Sequence, residues 1–378
     1  MTSALGSRIK TIFVDEFHDL YAPHPDRQQV WNDACHSISK ISKQRAFVSA
    51  THPPHLSKVF FRKAHINSDY PIHAIRASTD RPNLAYYILT LSLSESTTEK
   101  PLWQSTTSLV RHLVKLLAPD ERILVFFGTC ELVDTFSRDT GCAVYHSKLP
   151  IDGDNTKVHN LDRWDTGDSL VMAATTAASQ GVNRPHIKFV LIHGHTFGML
   201  AYAQQGGRGG RGGRPSYVIL LRKAHVARRT PSLKEGDVKC IGQFLDYAAN
   251  KDVCRRKALL AVMDGEGGAL GCLDKPGCNL CDVCDPDSDM LKIVSAAVAL
   301  SPECLDDTVD MDELDTLDSY SVTATDPRPK VTHSKQAEPG ASVGEGGLSW
   351  LTLLTLKRVG GKQFEKVRDF LITPFVLC

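Results

Sequence analysis

The run Ile12-Phe13-Val14 is apolar and β-prone, and it ends in Asp15-Glu16-Phe17-His18, two carboxylates and an imidazole. The C-terminal end of a strand is where an α/β sheet presents ligand-contacting groups. Adjacent acids there suit a hard cation such as Mg²⁺ and the orientation of an attacking water. Farther on, Ala46-Phe47-Val48 runs into Ser49-Ala50-Thr51, a second strand-like run that ends in small hydroxyl side chains. In Tyr202-Ala203-Gln204-Gln205-Gly206-Gly207-Arg208-Gly209-Gly210-Arg211, two guanidiniums stand three residues apart among glycines. A guanidinium carries a fixed charge and forked donors that match phosphate geometry.

The thiols point to a different chemistry. Eleven cysteines are an odd number for a disulfide framework, and five of them fall between Cys254 and Cys284. Cys278-x2-Cys281-x2-Cys284 has metal-ligand spacing, and Cys254-Arg255-Arg256 lies upstream on an expected helix. Four thiolates complete a closed tetrahedral site with no open position, so a Zn²⁺ there would be structural. The expected ligands are Cys254, Cys278, Cys281 and Cys284, with Cys272 as an alternative.

These groups need a frame to hold them. Apolar content of 42% and charged content of 23% fit a globular chain, and 378 residues allow two to three domains. Residues 1–10 have neither a signal-peptide core nor an Arg-rich transit pattern. No apolar run reaches the ~20 residues of a membrane-spanning helix, so a soluble intracellular protein without a membrane partner is expected. The first 230 residues alternate β-branched or aromatic runs with helical stretches, the pattern of a parallel α/β sheet. Strands are expected over 11–14, 46–49, 123–127, 143–145, 169–173, 187–192 and 217–221. Helices are expected over 27–42, 103–117, 131–137 and 157–164, with one or two more over 237–263. A boundary is expected near 92–101, where Ser, Thr and Glu interrupt the apolar pattern. Net charge is only +1, yet residues 201–230 hold seven Lys and Arg and no acid. Such a segment can bind phosphate although the whole chain is nearly neutral.

Asp-Glu-x-His followed by Ser-Ala-Thr resembles motifs II and III of superfamily-two helicases. Arg81-Pro82-Asn83-Leu84 narrows the likeness to RecQ-like proteins, which carry such an element between their two lobes. Val144-Tyr145-His146-Ser147 resembles the Tyr-His of their second lobe. Ala174-Thr175-Thr176-Ala177-Ala178-Ser179-Gln180-Gly181-Val182-Asn183 resembles motif V, with Asn183 where the family has Asp. The Gly-Arg run resembles motif VI, and the Cys-rich stretch resembles the family's zinc-binding subdomain.

The resemblance implies an α/β fold of RecA-like P-loop helicase lobes, the first incomplete and the second complete, followed by a small helical zinc-binding module. Residues 1–92 would be a first-lobe remnant, 100–235 the second lobe, 236–286 the zinc module, and 287–378 an acidic, partly disordered linker and tail. The family activity is ATP-dependent 3′-to-5′ unwinding of DNA, which implies ATP and Mg²⁺, single-stranded or forked DNA as partner, and a nuclear location. By resemblance, Asp15, Glu16, His18, Arg208 and Arg211 are catalytic, with Arg211 the arginine finger. Ser49, Thr51, Asn183 and Gln204 would couple ATP, and Arg81, Asn83 and Thr175 would touch nucleic acid.

One family element has no counterpart. No Gly-x4-Gly-Lys-Ser/Thr string occurs; the nearest, Gly360-Gly361-Lys362, is followed by Gln363. A polypeptide without that phosphate cradle is expected not to turn over ATP alone, and the half that carries it would be a missing partner. Two other readings stay open. The chain could be a non-catalytic DNA-binding or interaction protein, or the Gly-Gly-Arg triplets could be an RGG-type RNA-binding segment.

Overall fold

The structure, a computed structural model, describes residues 10–21, 25–40, 44–66, 71–91, 100–150, 153, 155–178, 182–194, 196–224 and 235–299. The acidic run after 300, the tail with Gly360-Gly361-Lys362, the basic Arg228 and Arg229, Ser179 to Gly181 of the motif V-like run, and the 92–99 boundary lie outside the described residues.

The chain begins with a small parallel pair, β1 (Thr11–Val14) and β2 (Gln44–Phe47), joined through α1 (Pro25–Ser39) and followed by α2 (Ser57–Lys63). Val14, Phe17, Leu20, Cys35, Phe60 and Ala64 form its core, and the rings of Phe17 and Phe60 lie 4.3 Å apart.

The larger unit is a six-stranded, wholly parallel sheet. Its strands are β3 (Leu84–Leu91), β4 (Arg122–Phe126), β5 (Ala143–Tyr145), β6 (Val171–Ala174), β7 (Ile187–His193) and β8 (Ser216–Lys223), in the order β3-β8-β7-β4-β6-β5. Central β4 is buried throughout, as expected of a parallel strand covered on both faces. Side-chain alternation sends Leu124 and Phe126 to one face and Ile123 and Val125 to the other. The second face is covered by α3 (Lys100–Val114), α4 (Cys130–Thr140) and α9 (Asp289–Ala299). Thr129 caps α4 by accepting from the Leu132 amide at 3.1 Å, and Gly141 closes it at φ 72°, where a Cβ would be strained. The first face carries α5 (Lys157–Thr166), α6 (Met199–Gly206), α7 (Glu235–Ala249) and α8 (Arg255–Met263), with Trp164, Tyr202, Phe244 and Leu259 fully or nearly fully buried.

Two expected boundaries change. Residues 84–91, assigned from sequence to the first-lobe remnant, form β3 and pair with β8 in register Leu84↔Ser216 to Leu91↔Lys223, at the edge of the six-stranded sheet. The strand escapes sequence reading because the turn-forming Arg-Pro-Asn precedes it and its partner lies about 130 residues away in the chain. The stretch from 287, expected as acidic linker, begins with helix α9, which packs on α3. Ser288 caps it by accepting from the Leu291 amide, Asp289 suits the positive helix start, and Val294, Ala297 and Val298 are buried. The Cys-rich module is no appendage, because Cys272, Cys281, Leu259 and Met263 share one core with Leu84, Tyr86 and Val218 of the sheet.

Candidate functional site

Three segments far apart in sequence meet at one place. Asp15-Glu16-Phe17-His18 follows β1, Ser49-Ala50-Thr51 follows β2, and Gln204, Arg208 and Arg211 come from α6 and the loop before β8. The Gln204 amide donates to Thr51 Oγ1 at 3.1 Å, across 153 residues of chain, and to Nε2 of His18. Because His18 accepts at Nε2, its proton sits on Nδ1, which faces Ser49 Oγ at 3.0 Å and Glu16 Oε2 at 3.1 Å. Ser49 also accepts from the Thr51 amide at 3.1 Å and donates to the Thr51 carbonyl at 3.2 Å, which fixes the hydroxyl.

The two adjacent acids differ. Glu16 has φ 51°, a left-handed conformation that costs about 1–2 kcal/mol for a residue with a Cβ and that its surroundings must hold. Its amide donates to Asp15 Oδ1 at 2.8 Å. The hydrogen bond from His18 holds the Glu16 carboxyl below its ordinary value, helped by the positive charges of Arg208 and Arg211. Partial burial, with the neighbouring Glu16 charge, raises Asp15. Glu16 therefore stays anionic at neutral pH, as a group that orients a water or faces a cation must. Burial and the neighbouring Arg211 push the Arg208 guanidinium down to about 10, against the pull of Glu16. It remains cationic at neutral pH.

The motif V-like run holds both arginines. Arg208 Nη1 donates to the Val182 carbonyl at 3.0 Å, and Arg211 Nη1 donates to Asn183 Oδ1 at 2.5 Å. Asn183 is neutral, so it fixes Arg211 without compensating its charge. The Thr175 hydroxyl accepts from the Ala177 amide at 3.4 Å at the end of β6 and meets neither arginine in a described contact.

Arg81 and Asn83, assigned from sequence to nucleic acid, are engaged otherwise. Arg81 Nη2 donates to the Gly209 and Gly210 carbonyls at 3.1 and 2.8 Å, and Asn83 Nδ2 to the Gly210 and Arg214 carbonyls at 2.7 and 2.8 Å. These side chains bond to carbonyls of the Gly-Arg loop.

That loop is built on close approach, not on freedom. A Cβ on Gly209 would meet Ser216 Oγ, and one on Gly210 would meet Asn83 Nδ2, with the Arg214 carbonyl at 3.0 Å. Gly210 also sits at φ 58°. Gly210→Ala is expected to destabilise the protein by about 1–3 kcal/mol, read as a lower urea midpoint. In an unfolded Arg-Gly tract the same change would leave the midpoint where it was.

The cysteines gather as Cys254, Cys272, Cys281 and Cys284, whose sulfurs all lie within 4.8 Å of one another. Cys272, the alternative, stands in this group, and Cys278 does not. The 275–278 segment closes a turn through the Cys278 amide, and Asn279 is then tied to the Pro82 carbonyl at 2.9 Å, which carries Cys278 off the cluster. A turn closed by Asp274, which accepts from the Gly271 amide at 2.7 Å, brings Cys272 to Cys254 instead. Metal–sulfur bonds of ~2.3 Å in a tetrahedron put sulfurs about 3.8 Å apart. Here Cys254 lies 3.6 Å from Cys272 and 3.9 Å from Cys281. The amides of Arg255 and Cys272 donate to the sulfurs of Cys281 and Cys254, at 3.4 and 3.3 Å, as thiolate sulfurs favour. Four buried or half-buried thiols in this geometry fit a zinc ion.

Sequence reading passed over the residues behind these groups. Arg255, buried, pairs with Asp282 at 2.9 Å. Arg256, 1% exposed, pairs with Asp80 at 2.6 Å and donates to the carbonyls of Arg81, Pro82, Leu84 and Asn279. The Cys-Arg-Arg string was visible, but nothing local says that its second arginine reaches back to residues 80–84.

A parallel sheet thus ends in a Gly-Arg loop that faces an acidic pair. Residues 108–213 match the family model "Helicase conserved C-terminal domain". Several of the relatives it resembles are RecQ-like DNA helicases. It is 27% identical over 221 residues to the ATP-dependent DNA helicase hus2/rqh1 of Schizosaccharomyces pombe, covering 55% of this chain and 16% of that protein. It is 28% identical over 166 residues to the RecQ-like DNA helicase blm-1 of Caenorhabditis elegans, covering 40% and 16%. It is 26% identical over 249 residues to the ATP-dependent DNA helicase Q1 of Pongo abelii, covering 60% and 35%. The match thus spans roughly a sixth to a third of the length of these relatives. Among solved structures, S. cerevisiae Dbp5 bound to RNA and ADP BeF3 is similar at 13% identity and a TM-score of 0.46, over 77% of this chain and 63% of that one. Among the described residues no helix is long and apolar enough to cross a membrane.

Proposed function

We propose that this chain supplies the second motor lobe and zinc module of an ATP-dependent, 3′-to-5′ RecQ-like DNA helicase. The observation that carries the reading is the meeting of His18 and Thr51 with Gln204, with Glu16 on His18 and in the field of Arg208 and Arg211. Two cations facing the Asp15-Glu16 pair suit a polyphosphate with its Mg²⁺. In phosphoryl transfer catalysis is almost wholly positioning and electrostatic stabilisation. Arg211, fixed by a neutral amide, would meet the charge that develops on the transferred phosphoryl group, with buried Arg208 beside it. Asp15 would face Mg²⁺, and Glu16 would orient the attacking water. Gln204 would report closure of the cleft to His18, which Ser49 and Glu16 hold in one tautomer. Zn²⁺, held by Cys254, Cys272, Cys281 and Cys284, would cross-link the module and take no part in the reaction. Single-stranded or forked DNA as partner and a nuclear location belong to the same proposal.

The 378 residues contain no Gly-x4-Gly-Lys-Ser/Thr string to cradle the β- and γ-phosphates. The polypeptide by itself is therefore expected to show no DNA-stimulated ATP hydrolysis above a Glu16→Gln control. Turnover that exceeds that control would overturn this part of the reading.

The Arg-Gly RNA-binding alternative finds no support in the loop, whose Gly209, Gly210 and Gly212 are packed and whose Gly209 and Gly210 carbonyls are bonded.

A further inference from the structure

Residues 78–84 cross from the small β1–β2 unit to β3, and they lie between the Cys-rich module on one side and the Gly-Arg loop on the other. On the module side, Asp264, at the end of α8, accepts from Ser78 Oγ at 2.8 Å and from the Thr79 amide at 2.9 Å. Arg256 reaches five acceptors at once, Asp80 and the carbonyls of Arg81, Pro82, Leu84 and Asn279, while almost fully buried. Asn279, from the Cys-rich loop, donates its amide to the Pro82 carbonyl and its Nδ2 to the Asn83 carbonyl at 2.8 Å. On the other side, Arg81 and Asn83 spend their side-chain donors on carbonyls within 207–214. The backbone of 80–84 is thus gripped by the module, and its side chains grip the loop that carries Arg208 and Arg211.

We propose that Arg81 and Asn83 are positioning residues for Arg211, held in turn by Arg256, so that the Cys-rich module sets the geometry of the arginine loop. The proposal rests on reading Arg211 as the finger. The physical reason is geometric. A finger arginine must arrive within a fraction of an ångström, and the loop's glycines give its backbone no stiffness of its own. Carbonyls fixed by charged donors supply what the residue types lack. Arg256 suits its place because one planar fork satisfies several carbonyls that no ladder partner covers, and a lysine in that position would reach fewer of them.

The test uses the full chain, zinc-loaded and without nucleotide, and reads amide hydrogen exchange. The loop amides of Gly210, Gly212 and Gly213 bond to the carbonyls of Ile187, Pro185 and Gly210. In Arg81→Lys and in Arg256→Lys these amides are expected to exchange about tenfold faster or more. Exchange along Leu124 to Phe126 of β4 and zinc content should stay unchanged, a pattern that general destabilisation would not give. Should Arg256→Lys fail to fold, Asn279→Ala removes one bond of the grip, from Nδ2 to the Asn83 carbonyl, without touching a charge, and is expected to speed exchange of the same amides. Unchanged loop exchange in folded variants, or a rise shared equally by β4, would overturn the proposal. No nucleotide is present, so a failure here leaves the role of Arg211 standing. Conversely, an ATPase indifferent to Arg211 would sink that role and leave the exchange result intact.

Discussion

Arg211→Ala, placed in this chain joined to a first half that carries a phosphate loop, is expected to lower ATP turnover by a factor of about 10³–10⁵. Arg214→Ala in the same protein is expected to do little. The two arginines are three residues apart in the same Gly-rich run, yet their surroundings differ. Arg211 is half-buried, bonded to a neutral amide, and close enough to Glu16 to help hold its carboxyl ionised. Arg214 lies past the loop, exposed, in an ion pair with Asp120 at 2.7 Å. An exposed pair of that kind contributes little. Arg208→Ala is also expected to be severe, because it removes a buried side chain together with a charge. If the three arginines served as interchangeable charges on RNA, each substitution would weaken RNA binding alike and leave ATPase unchanged. Equal effects at the three positions would favour that alternative.

The second large effect is that of metal removal. Protein purified without chelator is expected to carry one zinc per chain, to lose it in Cys272→Ser and Cys281→Ser, and to keep it in Cys278→Ser. Structural zinc contributes about 10–16 kcal/mol of apparent binding energy in small modules, comparable to the whole stability of a domain. Chelation is therefore expected to unfold the module. The loss should reach the β3 edge of the sheet as well, because Cys272 and Cys281 pack in the same core as Leu84 and Tyr86. Circular dichroism and exchange at β3 amides would follow it. Full zinc occupancy in Cys272→Ser would rule out the cluster as drawn.

How much of this could be read from the sequence depended on how local each signal was. Asp15-Glu16-x-His18, Ser49-Ala50-Thr51 and the Gly-Arg run carry their chemistry in the residue types themselves, and all three come to one place. The parallel sheet was legible for the same reason, since Arg122–Phe126, Ile187–His193 and Ser216–Lys223 are apolar runs between turn signals. Leu84–Leu91 was not, because a parallel strand takes its identity from a partner, and β8 lies far along the chain. The choice between Cys272 and Cys278 could not be made from spacing, which gives three evenly spaced thiols, whereas the cluster in the structure holds Cys272. The 275–278 turn and the anchoring of Asn279 decide it, and both depend on contacts with Pro82 and Asn83. The bonds that Arg81, Asn83 and Arg256 make to distant carbonyls were not legible either. A donor's type is visible in sequence, but the acceptor it meets is not. Acidic Asp285, Asp287 and Asp289 concealed α9, whose apolar stripe begins only after them.

The central claim is that residues after β1 and β2 and residues of the Gly-Arg loop form one ATP site. ATP hydrolysis by the chain joined to a phosphate-loop first half, measured with and without single-stranded DNA and against Glu16→Gln, tests it most directly. The account predicts turnover that DNA stimulates and that Glu16→Gln abolishes. No turnover from a folded, zinc-loaded fusion, or turnover that Glu16→Gln leaves intact, would contradict it.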